Sequence, residues 1–394
     1  MTAPTGPTAA PAVTVARALD EARTEQWDDL LGPRGFYAAS PWLRHAQATA
    51  DPAPYYFTAS QDGRPVGVLP GYPLHPGTPY VFCSPSRVVD TVHHETTGQG
   101  APWAAELLPA LACGGRNPSH TKAGLAGDLG PDAQHEVLAA LVEAAEEEAR
   151  QAGLEAVSFL YVDEDDAPLR TVLQGRGYAA LPGQTAYSLA VPEQGGFDSY
   201  LARFDRRHRG KLNRELRSLD EAGPSYRTQP LTEQLIEELA PLELALYAKY
   251  GTPADATAFK AVLSSVAANT ASAARVTTAH VEGRLAGFAL TFTHRGELYA
   301  RQAGFDYAVQ GKIPLYFGLV YYELLRLALR EGISHIHYST GSDRAKLSRG
   351  CTPRRQIAYV KARRPGLQDR LARLAERAAH QAGATRPAGH RNEE

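Results

Sequence analysis

The chain has 394 residues, 43% hydrophobic and 21% charged, with 41 Lys and Arg against 43 Asp and Glu for a formal charge of −2. That length suggests two domains of roughly 150–200 residues, and the balanced charge excludes a histone-like coat for nucleic acid while permitting a local basic patch. Three widely spaced cysteines, Cys83, Cys113 and Cys351, exclude a disulfide framework or a zinc ribbon and suit a reducing compartment.

Residues 1–12 are rich in Pro, Ala and Thr, lack the basic and apolar runs of a signal peptide, and read as a disordered tail. No apolar stretch approaches the roughly 20 residues a membrane span needs. The most apolar helical segment, Pro314 to Leu329, is interrupted by Glu323 and Arg326. A cytoplasmic protein with no membrane partner is expected. A single Met among abundant Gly, Ala and Pro points to a high-GC bacterial genome.

Along the chain, Thr58 to Gly67 reads as strand, Asp62-Gly63 turn and second strand, the turn chosen because Gly accepts positive φ. A helix follows over Gln134 to Ala152, with Leu138, Leu141, Val142 and Ala145 on one face and glutamates opposite. Gly153 ends it. Strands are expected at Ala156 to Val162 and, after a short helical segment, at Ala186 to Val191. The pattern then repeats. Thr278 to Gly287 aligns with the first hairpin and turns at Glu282-Gly283. A helix over Pro314 to Arg330, a stop at Gly332, a strand over Ile333 to Ser339 and a last strand over Gln356 to Arg363 complete the second half. The fold class is α/β (α+β), two mixed sheets flanked by helices. The expected domains are 13–192 and 197–365, followed over 366–394 by a basic helix resting weakly on the body and a polar tail.

This tandem arrangement resembles the duplicated GNAT-type acyltransferase fold of the FemAB-like and BioF2-like proteins. The residues that carry the resemblance are Phe204 to Arg217, Gly304-Phe305-Asp306, and Tyr338-Ser339-Thr340-Gly341 followed by Lys346 and Gly350. Leu111 to Arg116 and Gly175 to Tyr178 add to it in the first half. It implies two splayed GNAT-like sheets and an N-acyltransferase. The acyl or aminoacyl group would come from aminoacyl-tRNA, acyl-CoA or an acyl carrier protein thioester on phosphopantetheine, with no resident cofactor. The acceptor would be an amine of a small molecule or peptide, in a setting such as secondary metabolism. Two features depart from the family. Residues 309–314 replace the usual Gly-rich pyrophosphate loop, and the helical-hairpin insertion of the cell-wall Fem ligases is missing. A duplicated binding module without catalysis is the alternative reading.

Acyl transfer to an amine needs a donor cradle, stabilisation of the carbonyl oxygen and proton management. Gly311 and Lys312, ahead of a helix start, are candidates for the cradle. Lys346, matching the family's Lys-x-x-x-Gly turn, is expected to touch substrate, with Gly350, Arg354 and Arg355 beside it as an anion site. Asp306 is a candidate to orient or deprotonate the amine. Tyr316 and Tyr338 are candidates to return a proton to the leaving group. Arg301 and Gln302 alternate on one strand, so only one is expected to face the cleft. Arg206, Arg209 and Lys211, in the basic segment, are expected to meet donor phosphates. His93-His94-Glu95 reads as a loop without a metal partner, and Cys351 as a packed thiol.

Overall fold

The computed structural model describes residues 10–384 apart from 21–22, 79–80, 116–119, 250, 252–254 and 271–272. The N-terminal tail up to residue 9, Arg116 and the polar tail after 384 lie outside the described residues.

In chain order the first half contains strand β1 (Ala12–Ala16), helices α1 (Thr24–Asp29) and α2 (Ser40–Ala48), then β2 (Tyr55–Gln61) and β3 (Arg64–Leu74). Helix α3 (Pro85–Thr97), β4 (Ala110–Cys113), the short β5 (Gly124–Leu125), α4 (Pro131–Gln151) and β6 (Ala156–Asp163) follow. Helix α5 (Ala167–Gly175) and β7 (Ala179–Ala190) end it. The second half opens with α6 (Gly196–Ala202) and α7 (Arg206–Ala222). It then runs β8 (Ser225–Pro230), α8 (Glu233–Lys249), α9 (Ala256–Asn269), β9 (Ala274–Val281), β10 (Arg284–His294) and β11 (Glu297–Phe305). After α10 (Tyr307–Gln310) a longer helix begins as α11 (Leu315–Phe317), widens to π geometry over Gly318–Glu323 and continues as α12 (Leu324–Glu331). Strand β12 (His335–Thr340), α13 (Asp343–Leu347), β13 (Thr352–Ala362) and α14 (Pro365–Ala384) complete the chain.

The two hairpins are built alike. Asp62 and Glu282 both have φ of 50°, and Gly63 and Gly283 both have φ of 76°, the paired left-handed geometry of a tight hairpin turn. Each has one extra residue at the same place on its second strand, Val66 in one and Ala286 in the other. The strand orders match as well. One run of strands is β1-β2-β3-β4 antiparallel, then β6 parallel to β4, then β13 antiparallel to β6. The second runs β8-β9-β10-β11, then β12 parallel to β11, then β7 antiparallel to β12. The mixed α/β class and the duplication read from the sequence hold.

The compact units are not the sequential halves. One comprises residues 1–40, 50–184 and 355–394, the other 41–49 and 185–354. This departs from the expected boundary at 192–197, because the last strand of each half completes the sheet that begins in the other half. The core of the first unit also takes up Leu367, Leu371, Leu374 and Ala378 of α14. That helix is therefore a buried component and not the weakly packed appendage its charge suggested, since its apolar residues fall every third or fourth position. His93-His94-Glu95 lies on α3, not in a loop, and among the described residues no cluster could hold a metal. No described helix is long and apolar enough to cross a membrane.

Candidate active site in the splayed sheet of the second unit

Strands β11 and β12 run parallel for only three residue pairs, Glu297 with His335, Leu298 with Ile336 and Tyr299 with His337. Beyond that the two strands separate, leaving the 300–305 edge of β11 unpaired on that side. An irregularity shapes this edge. Thr291 pairs with Ala300 and Leu290 with Gln302, so Arg301 is an extra residue, a β-bulge that re-aims its neighbours.

The bulge overturns the expectation that only one of Arg301 and Gln302 faces the cleft. Gln302 Nε2 donates to Glu243 Oε1 at 3.3 Å, and the Arg301 charge acts on the same carboxylate while its guanidinium lies 5.0 Å from the Trp42 ring. Glu243 belongs to α8, which packs so closely on β11 that a Cβ on Gly304 would fall 2.7 Å from the Glu243 backbone nitrogen. Helix and strand are thus locked together where the carboxylate meets the splayed edge. Burial raises the Glu243 pKa to about 7, against the opposing pull of Gln302 and Arg301. Sequence reading missed this residue. An acidic side chain within an otherwise apolar stretch of α8, Leu242 to Leu244, is the one signal that could have found it.

On the other side of β11 the long helix starts at Leu315. Gly311, with φ of 53°, ends α10, and Lys312 is exposed. Asp306 caps α10, its Oδ1 accepting from the backbone N–H groups of Ala308 and Val309 at 2.9 and 3.1 Å. A carboxylate already bound to two backbone donors is a poor base, so the geometry favours its capping role. Tyr338 is fully buried and donates to the Val320 carbonyl at 3.1 Å. Its partner lies in the π segment, where the wider turn breaks the usual helical pairing and leaves carbonyls to be satisfied otherwise. Tyr316 is half-buried with its hydroxyl 3.4 Å from that of Tyr321.

The turn after β12 is strained. Ser339, Gly341 and Ser342 all have φ between 54° and 75°, a region that costs a non-glycine residue about 1 kcal/mol or more. Lys346 holds it in place, Nζ donating to the Ser339 and Thr340 carbonyls at 3.1 and 2.8 Å. Burial lowers its pKa to about 8. Two of its three N–H donors go to the backbone, and no described hydrogen bond or ion pair joins it to Arg354 or Arg355 in one anion site. Arg354 is half-buried and Arg355 exposed on β13. Gly350, with φ of 74°, lets Phe204 pack on the same turn. Cys351 is buried and pushed up to about 12 by desolvation, which keeps it a thiol.

One further pair escaped the sequence. Arg349 is 1% exposed, donates to Glu215 Oε2 at 2.6 Å and lies 3.6 Å from the Phe317 ring centroid. Tyr322 donates to the same Glu215 oxygen at 2.8 Å. The pair ties α7 to the closing turn and the π segment, joined by His208 Nε2 at 2.8 Å from the Ser348 carbonyl. Asp205 caps α7, and Leu212 and Leu219 bury its inner face. Its outer face carries Arg206, Arg207, Lys211, Arg214 and Arg217, all exposed, with Arg209 half-buried. None of the six has a carboxylate partner among the described residues.

Comparison with solved structures finds the same architecture. FemX is similar at 12% identity, covering 91% of this chain and 100% of that one, with a TM-score of 0.61. A conserved protein of unknown function from Bacteroides thetaiotaomicron aligns at 12% identity over 89% and 99% of the two chains, with a TM-score of 0.55. L-PGS from Bacillus licheniformis aligns at 11% identity over 90% and 97%, with a TM-score of 0.53. At these identities the likeness is one of fold. No curated protein matches in sequence. The FemAB-like family profile, described as peptidoglycan biosynthesis/recognition, matches residues 128–390, two-thirds of the chain and all of the second unit's splayed sheet. On that match, the protein belongs to the FemAB-like family.

Proposed function

We propose that the protein transfers an acyl or aminoacyl group from an activated donor to an amine, in the splayed sheet of its second unit. The observation that carries this is the early separation of β11 and β12. It leaves a strand edge of unpaired N–H and C=O groups beside a buried carboxylate and a helix start, which is what holding an extended acyl donor requires. Tyr316, with its half-buried hydroxyl, supports a role in returning a proton to the leaving group.

The unpaired cations of α7 favour a polyanionic donor, aminoacyl-tRNA, over a CoA or carrier-protein thioester. Lys312 and Gly311 support the same donor end. The test offers the protein total tRNA charged with labelled amino acids, labelled acetyl-CoA, or an acylated carrier protein, each with hydroxylamine and with n-butylamine as acceptors. Label should pass from charged tRNA into the acceptor faster than in a protein-free control, and ribonuclease should abolish that excess. Transfer from a thioester that survives ribonuclease would replace the tRNA donor. No transfer from any donor would leave a binding module.

A further inference from the structure

Glu243 is a buried carboxylate without an ion pair among the described residues, the Arg301 charge acting on it from farther away and Tyr247 lying beside it. It is 3% exposed, Oε1 accepts one bond from Gln302, and Oε2 has no hydrogen-bond partner. A structural carboxylate at this depth is normally paired or fully bonded, because an unsatisfied buried acceptor has given up its hydration without replacement. Glu243 Oε2 is the one carboxylate oxygen in this position among the described residues, and it lies beside the bulge on the unpaired edge of β11. The fixed contact of α8 with Gly304 removes freedom to turn away. Gln302 Oε1 likewise has no partner, so two side chains already joined by one hydrogen bond each keep an unused acceptor oxygen.

We propose that Glu243 is the general base of the transfer, binding the acceptor as an ammonium ion and taking a proton from it. This rests on the transferase reading above. The ammonium nitrogen gives its proton to Glu243 Oε2, and its freed lone pair attacks the donor carbonyl carbon. As the C–N bond forms, the C–O or C–S bond to the donor breaks and its electron pair leaves with oxygen or sulphur. The second nitrogen proton passes to that leaving atom, and the Glu243 carboxyl returns its own to water. A pKa of about 7 suits the task, since a base is most effective when poised near the working pH. The ionisable groups acting on the carboxyl are Arg301 from β11, which lowers its pKa, and Tyr247 one turn along α8.

The test compares acceptors that do and do not need deprotonation. Hydroxylamine is already neutral near pH 7, whereas n-butylamine is an ammonium ion. With the donor the parent protein uses, Glu243→Gln should lower transfer to n-butylamine by about a hundredfold. Transfer to hydroxylamine, counted above the uncatalysed reaction of hydroxylamine with the donor in a protein-free control, should fall far less, and a cooperative thermal melt shows that the variant is folded. The acid limb of the parent's pH profile with n-butylamine, near pH 7, should vanish in the variant. Should Glu243→Gln melt early, Glu243→Asp replaces it, with the same split expected in smaller measure. Equal loss with both acceptors in a folded variant, or loss with neither, overturns the role of Glu243 and leaves the transferase reading standing. No transfer by the parent protein to either acceptor overturns both.

Discussion

Lys346 shows how a residue can be singled out correctly and for the wrong reason. Its match to a Lys-x-x-x-Gly turn marked it as a substrate contact, but its amine closes the left-handed turn after β12 from beneath. A buried lysine resists protonation, so its folded pKa of about 8 lies below the usual 10.5. Between those values the unfolded chain binds more protons than the folded one, and stability must therefore rise with pH. The upper end of the window is about pH 10, where the buried tyrosines, whose pKa values are raised, begin to act in the opposite direction. Urea titrations from pH 8 to pH 10 should show the parent gaining about 2 kcal/mol relative to Lys346→Met. Parallel curves for the two proteins would mean that the amine is not buried as a cation.

At the scale of the element, α7 joins two roles on opposite faces. Leu212, Leu219 and the Glu215–Arg349 pair fix its inner face, while the outward cations form no ion pair among the described residues. Reversing two of them, Arg206→Glu with Lys211→Glu, leaves the inner face untouched, so the melting temperature should stay near that of the parent. Binding of tRNA should weaken, and the slope of log K against log salt should become shallower by about 2, one unit for each lost phosphate contact. An unchanged slope would return α7 to the status of a solvated helix. Charge and the helical spacing of its cations made the segment legible from sequence. Its buried partner Arg349, 134 residues away from Glu215, was not, because an ion pair between distant segments has no local signature.

For the whole molecule, the interleaved units make a prediction that the expected boundary does not. A chain ending at Arg364 lacks α14 and removes three buried leucines from the first unit, each worth about 2 kcal/mol. The loss of about 6 kcal/mol rivals the entire stability of a typical domain. Such a truncation should unfold the first unit, seen as a large fall in soluble yield and loss of the cooperative thermal transition. A cooperative melt unchanged by the truncation would mean that the helix contributes little.

Sequence by itself determined the local and periodic features: two matched hairpins, the long helices and their glycine stops, the mixed-sheet class and the family likeness. These follow from turn chemistry and hydrophobic period, which act over a few residues and recur in both halves. Only the tertiary structure decided which strand completes which sheet, why Arg301 and Gln302 reach one carboxylate, and that Glu243 is buried with an unbonded oxygen while Asp306 and Lys346 bond to the backbone. Strand exchange and burial depend on contacts between segments far apart in the chain. A carboxylate's reactivity depends on what water and which donors its surroundings leave to it.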